Sequence, residues 1–189
     1  DIYHHTYQEE EKTMDYIREG NLEEVVGAVE LLASTAGKLS ENEIRNERNL
    51  GICSITLATR AAIEGGAAPA KAYKLSDLYI NKIDQCKRMT EIFEYRKRSL
   101  YDFAKLVVEE RAKRANSRYT EQCKEYIRKY YHQKIYISDI AKALGISESH
   151  LSRIFKKETG ESIQEYSMHM RIERAENLLK YSEASLTEI

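Results

Sequence analysis

The sequence predicts an all-α protein in two parts: an N-terminal helical bundle, then a pair of short helices joined by a tight turn and followed by one long helix. Three observations predict it. Apolar residues recur at helical spacing through most of the 189 residues. Asp1–Ala115 shows no strand-like alternation. The single proline and eight glycines leave little turn chemistry, and those residues fall where helices start and stop. A chain that is 42% hydrophobic can bury one large core or two small ones.

The bundle takes residues 1–115. Tyr3–Gly20 reads as a charged helix ended by Gly20, with the acidic run Glu9–Glu11 suiting the positive end of the helix dipole. Asn21 caps a second helix, whose apolar side is Leu22, Val25, Val26, Val29, Leu32 and Ala33. Gly37 and Ser40 break it. Ser40 with Glu43 fits a capping box for a third helix carrying Ile44, Leu50, Ile52, Ile55, Leu57 and Ile63 and ending at Gly65-Gly66. Pro69 suits the first turn of a fourth, with Tyr73, Leu75, Leu78, Tyr79, Ile80 and Ile83. A fifth, Thr90 to Ala115, carries Ile92, Phe93, Leu100, Phe103, Leu106 and Val107. Glu109–Arg118 (EERAKRANSR) is polar throughout and reads as a solvated helix end or a linker, so the boundary is placed near Asn116.

The second part, 116–189, opens with a helix over Tyr119–Tyr131 that turns Cys123 and Ile127 inward. Next comes Ile137–Gly160, ISDIAKALGISESHLSRIFKKETG. Ser138 is a candidate N-cap; Ile140, Ala141 and Leu144 share one face; Gly145 stands where a left-handed residue ends a helix; and Ile146 plugs the turn. Ser147 caps the next helix, whose inner face is Leu151, Ile154 and Phe155 and whose outer face carries Ser149, Ser152, Arg153 and Lys156. That pattern over residues 138–158 is a helix-turn-helix, whose second helix enters a major groove. A long helix over 162–181 follows, capped by Ser162, with the stripe Ile163, Tyr166, Ile172, Ala175, Leu178 and Leu179. Its length, roughly 28 Å, approaches the DNA repeat of about 34 Å. Ser185 caps the start of another helix, 185–189.

Charge and cysteines narrow the function classes. The net charge is -1, and from Asn116 onward 12 Lys and Arg stand against 11 Asp and Glu. Within Ser138–Lys157, four bases face two acids, so the positive charge is local to the reading element. Cys53, Cys86 and Cys123 are odd in number and lack metal spacing, which fits free thiols in a reducing cytoplasm. No apolar run reaches membrane-span length, and there is no signal peptide; the first residue is Asp. His4-His5, beside Tyr3 and Tyr7, point to different sides of a helix and make no metal site. Fourteen tyrosines are explained by amphipathic packing, with a ligand cage as the alternative. No residue set supports catalysis or a cofactor, and Gly65-Gly66 lacks a phosphate-binding pattern.

The segment Tyr119–Ile189 resembles the DNA-binding region of the AraC/XylS transcriptional regulators. The carriers are Ile137, Ile140-Ala141, Leu144-Gly145-Ile146-Ser147 and Leu151-Ser152-Arg153-Ile154-Phe155-Lys156-Lys157, then Gly160, Ser162-Ile163 and Tyr166, then Arg171-Ile172, Ala175, Leu178-Leu179, Ser182, Ser185-Leu186 and Ile189. The resemblance implies two helix-turn-helix units on a joining helix. The second is only begun at 185–189, so the chain as written is expected to bind DNA weakly. Helix geometry and the resemblance together give base contacts to Arg153, Ser149 and Ser152, and phosphate contacts to Lys156, Lys157 and His150. They leave Arg171 as a structural ion-pair partner. The partners implied are double-stranded promoter DNA, a second copy of the chain, RNA polymerase and a small-molecule effector, with no membrane. The family's usual sensor is a β-rich barrel, which Asp1–Ala115 does not match. The bundle is expected to dimerise and transmit a signal, or to hold a ligand near Tyr73 and Tyr79. The alternative function is a helical protein-interaction module whose helix-turn-helix scaffold lacks strong DNA affinity.

Overall fold

The computed structural model describes residues 6–34 and 37–181. Among them there is no strand, and the helices are α1 (Tyr7–Glu19), α2 (Leu22–Ser34), α3 (Glu43–Glu64), α4 (Pro69–Gln85), α5 (Met89–Tyr130), α6 (Ile137–Leu144), α7 (Glu148–Thr159) and α8 (Ile163–Tyr181). The expected start at Ser185–Ile189 and the His4-His5 pair lie outside the described residues. The chain divides into two compact units, one ending at Ala112 and the other beginning at Lys113.

In the first unit the ends of the helices follow local chemistry. Thr6 and Glu9 form a capping box at α1. Gly20 closes α1 in the left-handed conformation, and Asn21 accepts a bond from the Glu24 N–H at the start of α2 (3.4 Å). Pro69 sits in the first turn of α4. The cap of α3 is Asn42, whose side chain accepts from the Arg45 N–H at 2.9 Å, not the expected Ser40. Ser40 lies one step outside: its hydroxyl accepts from the Asn42 N–H, while Asn46 takes the Leu39 and Ser40 N–H groups.

The core joins Met14 and Ile17 of α1, Val25 and Val29 of α2, Ile55 of α3, Tyr79 and Ile83 of α4, and Ile92, Leu100, Phe103 and Val107 of α5. α3 contributes mainly small residues, Ala58, Ala61 and Ala62, whereas the expected Leu57 is exposed. Small side chains let α3 approach its neighbours closely, so α3 packs against both α1 and α4. Tyr73 and Leu78 also face outward, while Tyr79 is buried and donates its hydroxyl to Asp102. Tyr73 instead meets Arg60, which donates to its hydroxyl at 3.0 Å and lies over its ring. The two tyrosines therefore do not form a common ligand cage.

The largest departure from expectation is α5. It runs 42 residues without a break, through the polar stretch 109–118 and through the expected boundary near Asn116. That stretch holds no glycine or proline and is rich in Glu, Arg, Lys and Ala, all strong helix formers. Its polarity marks a solvated helix surface, and Tyr119–Tyr131 is the end of this helix rather than a helix of its own.

Two arginines show how the bundle handles charge. Arg111 donates to three backbone carbonyls, Gly65 at 3.0 Å, Glu19 at 3.0 Å and Arg18 at 2.7 Å. One guanidinium thus sits at the C-terminal ends of α1 and α3, where unpaired carbonyls collect and positive charge is favoured. The two ends meet so closely that a Cβ at Gly65 would lie 2.5 Å from the Arg18 carbonyl oxygen. Arg96 is 4% exposed, and its Nε and Nη1 atoms have no acceptor among the described residues. Burial lowers its pKa, against the pull of Glu47.

Arg111→Lys keeps the charge but loses the planar fork that spans three carbonyls. We expect it to lower stability by about 1–2 kcal/mol, the net worth of charged hydrogen bonds at a partly exposed site. Thermal unfolding checks this; an unchanged midpoint would mean that water replaces the fork without loss.

Candidate nucleic-acid interface

The second unit is organised by one apolar cluster: Cys123 and Ile127 of α5, Ile140 and Ala141 of α6, Leu151 and Phe155 of α7, and Ile163 at the start of α8. Ile135, Ile137, Leu144, Ile146 and Tyr166 pack around it. Burial pushes the Cys123 thiol up to about 12, so it behaves as a small apolar group.

α6 starts after Tyr136, which makes no side-chain cap, so the expected Ser138 cap is absent. The apolar spacing puts Ile137 inside the helix and Ser138 with it. The helix ends as the glycine requires. Gly145 adopts φ 68°, its N–H reaches the Lys142 carbonyl at 3.3 Å, and the Ile146 N–H reaches that of Ala141 at 3.1 Å. This double closure turns the chain sharply while Ile146 stays on the core. Ser147 then caps α7, its hydroxyl accepting from the His150 N–H at 3.3 Å.

α7 is two-sided, as its sequence predicts. Leu151, Ile154 and Phe155 are buried, and Phe155 meets the Tyr166 ring edge-on at 5.4 Å between centroids. Ser149, Arg153, Lys156 and Lys157 are exposed; Ser152 and His150 are half-buried. Arg153 Nη2 lies 3.1 Å from His150 Nδ1, which makes the imidazole nitrogen the acceptor. The His150 ring meets that of Tyr119 on α5 edge to face, with 6.4 Å between centroids. His150 thus stands between Arg153 and Tyr119. Ser149 Oγ lies 3.4 Å from Ser147 Oγ beside the cap. Lys156 stands apart, close enough to Glu165 on α8 to help hold that carboxyl below its usual range, after the larger effect of bonds to Ser162. Glu165 and Ser162 form a capping box that starts α8 at the expected place.

Arg171 is structural, but among the described residues its partners are backbone carbonyls rather than a carboxylate. It donates to the Tyr131 carbonyl at 2.8 Å and to the Gln133 carbonyl, tying α8 to the end of α5. Beyond it the apolar stripe of α8 includes exposed side chains: Ile172 and Leu179 are 49% and 54% exposed. Sequence reasoning missed Tyr119. Its signal was its place in register with Cys123 and Ile127 on one helix face, hidden by starting a new helix there.

A family model described as a helix-turn-helix domain matches residues 140–189. The match is to a helix-turn-helix domain of the AraC type, over those residues alone. Over 71 residues, 38% of the chain, it is 39% identical to the Msm operon regulatory protein of Streptococcus mutans, covering 26% of that protein. Over 69 residues, 36% of the chain, it is 38% identical to the HTH-type transcriptional activator Btr of Bacillus subtilis, covering 13% of it. Over 65 residues, 34% of the chain, it is 34% identical to the lactose operon transcription activator of Staphylococcus xylosus, covering 23% of it. The matching segment thus spans about a quarter or less of these relatives. No solved structure matches the chain. Among the described residues no helix is long and apolar enough to cross a membrane, and no group of three or more His, Cys, Asp or Glu could hold a metal ion.

A Cβ at Gly145 would meet nothing within 4 Å, so the cost of replacing it is backbone strain alone. We expect Gly145→Val to destabilise the AraC-type domain by about 1–3 kcal/mol, and Gly145→Asn by distinctly less, because asparagine tolerates the left-handed region. Urea unfolding of the two variants checks the order; equal losses would show that the turn is not held in that conformation.

Proposed function

We propose that the chain is a DNA-reading part of a bacterial transcriptional regulator, with α7 as the helix that enters the major groove of promoter DNA. One observation carries this reading: α7 turns Leu151, Ile154 and Phe155 into the core and leaves Ser149, Arg153, Lys156 and Lys157 outward. The names of the relatives, an operon regulator and two activators, support the same class. In this reading Arg153 bonds a guanine edge through two parallel donors, because a guanidinium matches the O6 and N7 acceptors. Ser149 and Ser152 bond bases or phosphates. Lys156, Lys157 and, at the edge of the same face, His150 hold phosphates.

The bundle enters the proposal as the module that brings a second copy or an effector signal to the reading unit, and contact with RNA polymerase belongs to the same reading. What supports it is α5, which supplies Phe103 and Val107 to one core and Cys123 and Ile127 to the other within a single helix. The cytoplasm is the compartment this function requires.

Arg153→Ala is expected to lower the preference for a selected site over random duplex by about 1–3 kcal/mol at one base pair, with the fold intact because the side chain is exposed. Competition binding checks it. An unchanged preference would remove Arg153 from base reading.

A further inference from the structure

Arg153 reaches His150, and His150 reaches Tyr119, so the outer face of α7 continues onto α5. Tyr119 has two arginines beside it on the same helix. Arg118 precedes it and lines a cleft with Ala115, Tyr119, Gln122, Ala143 and Leu144, the last two at the end of α6. Arg114 is one turn earlier on the same face, about 6 Å along the axis. Both are exposed, and neither has a carboxylate within ion-pair distance among the described residues.

The acids of this stretch are already engaged. Glu109 lies 3.9 Å from Lys105, Glu110 pairs with Lys71, and Glu121 pairs with Lys124 at 2.8 Å and Arg128 at 3.9 Å. Two guanidiniums with no carboxylate partner among the described residues therefore stand within five residues of Tyr119, the α5 side chain that meets α7, on a helix stretch whose sequence resembles a linker. The chemistry that would neutralise them is a run of closely spaced, solvent-facing anions.

We infer that Arg114 and Arg118 extend the DNA interface onto α5 and hold backbone phosphates beside the segment that α7 reads. The inference rests on the DNA-binding reading of α7. These residues add affinity and register but no sequence information, because phosphates are alike at every base pair. The polar stretch of α5 is then a phosphate track rather than an inert spacer.

The test is the salt dependence of binding to a fluorescently labelled 30-base-pair duplex, measured by anisotropy over 50–300 mM KCl for the whole chain. Each phosphate neutralised adds roughly 0.9 to the slope of log K against log salt. R114Q/R118Q is expected to lower the slope by close to 2 relative to wild type while preserving the preference for a selected site. R114K/R118K, which keeps both charges, is expected to retain the wild-type slope. R98Q, an exposed arginine elsewhere on α5, serves as the control for general charge loss and is expected to leave the slope unchanged. Salt-dependent binding whose slope is the same in wild type and R114Q/R118Q would overturn the phosphate track and leave the reading of α7 standing. A wild-type chain with no salt-dependent binding would overturn both.

Discussion

The second unit depends on one packing constraint: Leu151 and Phe155 must stay buried against Ile127 and Ile140 for the outer side of α7 to exist as a surface. All four side chains are at 0% exposure. A helix of 12 residues is marginal alone, so α7 is helical because its inner face is buried. Removing either large side chain would cost about 2–5 kcal/mol from cavity formation, a large part of what a small domain holds. The outward direction of Arg153 is thus a consequence of the core. Cys123 and Ile163 close the cluster from α5 and α8, and Arg171 adds a polar tie between those two helices through the Tyr131 and Gln133 carbonyls.

The N-terminal unit solves a different problem with similar means. Its helix ends are brought together rather than its helix faces alone. Gly65 allows the end of α3 to touch Arg18, and Arg111 satisfies the carbonyls that this contact gathers. Arg18 adds ion pairs to Glu11, Asp15 and Glu64 at the same corner. The last turn of the bundle on α5 is therefore anchored by polar bonds, while its middle is anchored by Leu100, Phe103 and Val107. Arg96 is the exception: a buried guanidinium with two nitrogens that have no acceptor among the described residues, a costly arrangement in a medium that penalises charge.

How much of this was legible in the sequence depended on how local the cause was. Gly145 and Ser147 announced the turn and the α7 cap because both act within three residues of themselves. The inner face of α7 followed from spacing alone. Ser40 and Asn42 show the limit of such signals: two capping residues stood two apart, and only the bond to the Arg45 N–H chose between them. The continuity of α5 is hard to see in the sequence because the polarity of 109–118 suits a linker as well as a solvated helix, and only its helix propensity favours the second. Arg171 could not be placed from sequence, since its partners lie about 40 residues away and are backbone oxygens that any residue would supply. The alanines of α3 were undervalued for a related reason. A count of large apolar residues favours Leu57, whereas close helix approach favours Ala58, Ala61 and Ala62.

In the proposed reading α7 occupies a major groove with its Arg153 side toward the bases. Dimethyl sulfate footprinting measures this directly, because the reagent methylates guanine N7 on the major-groove edge, the same atom a guanidinium would bond. On a duplex selected from a random pool by the chain, the account predicts protection of guanine N7 within one short major-groove segment, lost on Arg153→Ala. Binding that leaves every guanine N7 as reactive as in free DNA would contradict it.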